Sequence, residues 1–146
     1  MGGPDRAPHS PQRSIAGLVR DYVPAGYRTR HPLVPHGMSV IVTAPAAFRF
    51  TYASAPERHL RAAELMDFPV AGLGEAERRE ALPRALTALM RDIDMPNGLT
   101  AIGYGERDVP ALIEGTLKQP RLLAGAPRGV GARDIDWILR ESMQYW

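Results

Sequence analysis

Two of the four histidines, His31 and His36, stand five residues apart in the stretch HPLVPHGMSV, each beside a proline. Neutral imidazole is a ligand for metal ions, and the apolar run Met38, Val40, Ile41 and Val42 that follows could wall off water. Pro32 and Pro35 exclude a continuous helix between the pair, so the two rings need not converge. His36 is the better placed, because Pro35 fixes the chain's approach and Gly37 removes a side chain beside it. Taken alone, these residues still favour a structural histidine whose nitrogens are satisfied internally. With no cysteine in the chain, thiolate ligation is excluded, and any metal needs imidazole or oxygen donors.

Other groupings carry less chemistry. LTAIGYGERDVPALI, residues 99–113, imitates a dinucleotide-binding fingerprint, with a strand-like tetrad followed by Gly103 and Gly105. The third glycine is replaced by Asp108, whose carboxylate at a helix start repels a pyrophosphate and suits the helix dipole instead, so no nucleotide site is expected there. The pairs Asp92/Asp94 and Asp134/Asp136 read as solvated helix ends beside Arg91 and Arg133. Ser39 and Ser142 have no histidine at a nucleophile spacing, and G-x-S-x-G is absent. His59, in what reads as a first helical turn after Glu57 and Arg58, is expected on the surface.

The elements that must position His36 are mainly helical. Leu82, Leu86, Leu89 and Ile93 recur on one helix face, with Pro83 marking a kink or a fresh start, and MPNGL stops the helix. Val109, Leu112, Ile113 and Leu117 repeat the pattern, as do Ile135, Ile138, Leu139, Met143 and Trp146. Ser54 offers a cap before APERHLRAAELM, and IAGLVRDY can form a short helix. MSVIVTAPAAFRFTYAS is β-branched enough to begin as a strand but too long for one, and periodicity leaves it open. No βαβ alternation and no repeat is visible, which gives an all-α array.

Length and composition frame this as one domain able to bury a core. Residues 1–14, with three Pro and two Gly and no apolar periodicity, are expected to be a disordered leader, and the folded part to start at Ile15. Residues 1–30 hold five Arg against two Asp, so the other 116 residues are close to neutral and nucleic-acid binding is not expected. With no apolar leader segment and no stretch approaching ~20 apolar residues, a soluble cytoplasmic protein is expected rather than a membrane one. No feature fixes an oligomeric state.

HPLVPHGMSV and its continuation TAPAAFRFTYASAPERHLRAAELM resemble the iron-containing alcohol dehydrogenase family, and within it the hydroxyacid-oxoacid transhydrogenase branch. IAGLVRDY, DMPNGLTAIGYGERDVPALIEGTLKQPRLLAGAPR and the terminal ESMQYW extend that resemblance from about Ile15 to Trp146. It implies the end of an all-helical, metal-binding C-terminal domain, in a family whose N-terminal Rossmann-like domain binds NAD(P). It also implies a divalent metal, iron or zinc, held by one Asp and three His. His36, in the P-H-G segment, matches the last of those ligands, whereas His31 matches none. A further ligand belongs six positions before the IAGLV-like segment, where His9 stands, although Ser-Pro-Gln-Arg-Ser follows it in place of the branch's G-M-S-Y-P. The Asp and the first His have no counterpart here, and neither does the NAD(P) domain. The resemblance therefore implies a part that is inactive alone and needs a separate nucleotide-binding polypeptide. A non-enzymatic helical interaction module, or a truncated gene product, is the competing expectation.

Overall fold

A computed structural model describes residues 15–146, all helix, turn and coil, with no strand among the described residues. The expected leader, 1–14, lies outside them. The stretch left open by periodicity is helical, in two pieces: α1, His36–Ile41, and α2, Ala44–Thr51. Pro45 explains the division, since a proline near a helix start gives up a hydrogen bond that was never made, whereas inside one continuous helix it would break the ladder. At the break, the Val42 N–H still donates to the Met38 carbonyl at 3.1 Å and that of Thr43 to Val40 at 3.3 Å. Local β propensity gives way to packing here: Val42 is fully buried, as are Ala46 and Pro45.

α3 spans Pro56–Leu65 and α4 spans Glu75–Asp92. Ser54 is not the cap of α3. It ends a short 3-10 turn, Tyr52–Ser54, and Ala55 holds the N-cap position without a side-chain bond while Pro56 supplies the preset first φ. α4 starts well before Pro83 and runs through it, with Glu77 accepting the Gly74 N–H at 2.9 Å to close its first turn. Its buried face is Ala81, Leu82, Pro83, Ala85 and Met90, while Leu89 and Ile93 are 45% and 56% exposed. Ala81 and Ala85 let α4 lie close against α2 and α3, and Leu82 shares that face whereas Leu89 and Ile93 fall off it. Leu60, Ala63, Ala81 and Leu82 form the core there.

α5, Val109–Leu117, packs on α7, Ala132–Glu141, with short α6, Pro120–Ala124, between them in sequence. Val109, Leu112, Ile135 and Leu139 from these helices join Val34, Val42, Leu99, Ile102 and Tyr104 in the larger core. The LTAI tetrad is not strand-like but enters the 3-10 turn Thr100–Ile102. IAGLVRDY makes only a 3-10 turn, Ile15–Gly17, and it is tied to distant partners: the Tyr104 hydroxyl bonds the Ile15 carbonyl and Arg20 pairs with Asp108.

α7 also stops earlier than its apolar spacing suggests. Met143 and Trp146 lie beyond the helix, because the segment after Ser142 is gripped by the MPNGL turn. Leu99 N–H donates to the Ser142 carbonyl at 2.8 Å and Thr100 N–H to Met143 at 3.1 Å. The Asn97 side-chain oxygen accepts from Tyr145 N–H at 2.7 Å and Trp146 N–H at 3.2 Å. Gly98 makes this approach possible, with φ +73° and space so tight that a Cβ would fall 2.5 Å from the Ser142 oxygen. From this clasp the Tyr145 hydroxyl reaches the Val42 carbonyl at 3.0 Å, bracing the break between α1 and α2.

Candidate functional site

His36 is the first residue of α1, set by extended Pro35 with φ −54° and ψ 144°. Its ring is exposed, and neither nitrogen bonds another described residue; only its carbonyl is used, accepting the Ser39 hydroxyl at 2.7 Å. It opens on a cavity of about 270 Å³ whose walls include Val40, Leu112 and Leu139, with Ser39, Thr43 and Thr116 among the polar residues. A second space of about 270 Å³ shares Ile15, Thr43, Thr116, Leu123 and Leu139 with it and continues to Phe50 and Ile138. Together they form a groove between α1–α2 and α5–α7 with walls rich in aliphatic carbon. The hydroxyls are engaged locally, Thr116 with the Leu112 carbonyl at 2.8 Å and Thr43 with that of Val40 at 3.2 Å. A free imidazole at the mouth of such a groove keeps a lone pair for an outside electrophile or metal.

His31 does not join it. It is exposed outside this cavity, its backbone N–H tied to the Thr29 hydroxyl at 3.2 Å. His9 lies outside the described residues. Among those that are described, no three His, Asp or Glu side chains cluster to hold a metal. The donors present therefore fit one position of a divalent site and cannot close it by themselves.

The expected surface histidine is the buried one. His59 is 8% exposed, between the rings of Phe48 and Tyr52, each met edge-on at 5.7 and 5.8 Å. Its Nδ1 lies 2.9 Å from the Ala55 carbonyl and its Nε2 3.1 Å from the Thr51 hydroxyl. A carbonyl only accepts, so Nδ1 carries a proton, and Thr51 can donate to Nε2. Two nitrogens spent inside mark a core histidine.

Asp108 fills the place a phosphate would need. Its side chain takes the Gly105 N–H at 2.9 Å and pairs with Arg20 ahead of α5. Burial pushes its pKa up, but the Gly105 bond and the Arg20 guanidinium outweigh that and hold the carboxyl below its ordinary range. The remaining acidic pairs are structural: Asp134 accepts the Gly131 N–H at 2.8 Å, Asp136 pairs with Arg140 at 3.0 Å, and Asp94 follows α4 at φ +54°. Ser142 is buried and donates to the Ile138 carbonyl at 2.7 Å, so it is no nucleophile. Ser39, Thr43 and Thr116 escaped the sequence reading as groove residues. Ser39 had a usable signal, three positions from His36 and so on one helix face with it.

Residues 31–143 match the C-terminal region of the Fe-containing alcohol dehydrogenase family. The chain belongs to that family. Among curated relatives, the mitochondrial hydroxyacid-oxoacid transhydrogenase of Bos taurus is 38% identical over 138 residues, covering 94% of this chain and 30% of that protein. A probable mitochondrial hydroxyacid-oxoacid transhydrogenase of Dictyostelium discoideum is 39% identical over 136 residues, covering 92% of this chain and 25% of its own length. Among solved structures, 1,3-propanediol oxidoreductase superposes with a TM-score of 0.66 at 31% identity, over 75% of this chain and 28% of that one. The chain thus spans roughly 25 to 30% of the relatives it matches, and corresponds to their helical C-terminal region.

Proposed function

We propose that this chain is the metal-contacting C-terminal part of a hydroxyacid-oxoacid transhydrogenase-like oxidoreductase. In this reading His36 supplies one imidazole to a divalent iron or zinc ion and His9 a second, while the other ligands and the NAD(P) site come from polypeptide outside residues 1–146. The observation that carries it is the unbonded ring of His36 at the mouth of the aliphatic groove, within the segment matching the family. Such an ion, when bound, offers Lewis-acid stabilisation of a substrate oxygen during hydride transfer with a nicotinamide. In this chain His36 offers a lone pair from the first residue of α1, at a groove walled by Val40, Leu112 and Leu139.

The isolated chain is expected to turn over no hydroxyacid or alcohol with NAD or NADP. Titration calorimetry with Zn(II) or Fe(II) tests the ligand assignment: weak binding should fall with His36→Ala, hardly change with His31→Ala, and respond to His9→Ala to an intermediate degree. Equal loss on changing His31 would show a different site. No metal binding at all would favour the second reading, a helical interaction module, for which the solvent-open groove supplies the surface.

A further inference from the structure

On the other side of Phe50 lies a larger open cavity of about 790 Å³ that the metal reading does not use. Three arginines line it: Arg49, Arg79 and Arg128. Arg49 has its charge paired with carboxylates, Nε and Nη2 on Glu80 at 2.7 and 2.8 Å and Nη1 on Glu141 at 3.1 Å. Arg79 and Arg128 differ, for among the described residues neither pairs with a carboxylate. Each is fixed by a backbone carbonyl near the end of α2: Arg79 Nε donates to Arg49 at 3.3 Å, and Arg128 Nη1 to Phe50 at 3.2 Å. The Arg128 guanidinium also stacks 4.2 Å over the Phe50 ring. Capping the orphan carbonyls of a helix end uses one N–H of each arginine. The other donors are left over, on two cations held in place beside a partly apolar floor of Tyr52 and Pro56. Glu75 is the one carboxylate in that lining, exposed at the start of α4.

We propose that this cavity binds a phosphoryl group carried by a small organic molecule, with Arg79 and Arg128 as its paired donors. Two fixed guanidiniums suit a group with two negative charges and several acceptor oxygens better than a single carboxylate, and stacking plus the carbonyl anchors reduce the entropy lost on binding. The apolar floor accommodates the organic remainder. This assignment does not depend on the metal reading.

Calorimetric titration of the whole chain with pyrophosphate at low salt provides the test. Saturable binding is expected, weakened at least about tenfold in the R79Q/R128Q double variant and unchanged by Arg84→Gln, an exposed arginine of α4 outside this cavity. Arg128→Lys, keeping the charge but losing the planar fork, should fall between. Thermal melts of each variant separate lost binding from lost fold, and each single substitution serves if the double one unfolds. Binding that survives R79Q/R128Q, equal binding of succinate, or no saturable binding would overturn the proposal and leave both arginines as caps of α2.

Discussion

An imidazole serves a core by using both ring nitrogens and serves a metal by keeping one of them free. His59 does the first, whereas His36 leaves its ring nitrogens unbonded. His59→Ala removes a buried ring that bonds the Ala55 carbonyl and the Thr51 hydroxyl, and should lower stability by about 2–4 kcal/mol in urea denaturation. His36→Ala, at an exposed unbonded ring, should stay within about 0.5 kcal/mol. Similar losses from the two would reverse the assignment. Asp108 makes a second prediction at this scale. Its pKa is lowered in the folded chain, so its contribution is present above the ordinary carboxylate pKa and disappears as pH falls through the lower folded value. Melting temperature should therefore drop as pH is taken below about 4, and Asp108→Asn should flatten that part of the profile. A wild-type curve no steeper than the variant's there would refute the linkage.

At the scale of elements, Gly98 is the residue on which the turn after α4 depends. Gly98→Ala meets both a left-handed backbone and the Ser142 and Met143 carbonyl oxygens at 2.5 and 2.6 Å, and should cost more than about 2 kcal/mol by chemical denaturation. A neutral substitution would mean that the clasp is not formed in solution. The stop signal itself was legible, since Pro96, Asn97 and Gly98 are turn residues, but its partner was not: nothing local joins Asn97 to Tyr145. The same limit explains α7, where apolar spacing ran on to Trp146 although the backbone beyond Ser142 is bonded to another turn. In α4, Leu82 and Leu86 lie toward the core as their spacing suggests, but Leu89 and Ile93 do not, because the buried face runs on through Ala85 and Met90. Helical character at 39–48, by contrast, came from resemblance; the β-branched residues alone left it open. His36 was singled out by Pro35, Gly37 and the family-like segment, whereas His59 was missed because Phe48 and Tyr52 reach it only through the turn between α2 and α3.

For the molecule as a whole, the helix bearing His36 has two kinds of support. Aliphatic side chains of α5 and α7 lie across the groove, and the Tyr145 hydroxyl holds the Val42 carbonyl at the far end of α1. Tyr145→Phe keeps the ring and loses that bond, so about 1 kcal/mol of stability should go, with faster hydrogen exchange of the Val42 and Thr43 amides than in the wild type. Unchanged exchange there would show that the brace carries no load. The brace joins residues 103 positions apart. During synthesis at roughly 5–20 residues per second, α1 therefore waits on the order of 5–20 s for the tyrosine that steadies it. Over that interval Val34 and Val42 sit on a nascent chain whose core partners Ile135 and Leu139 have yet to be made.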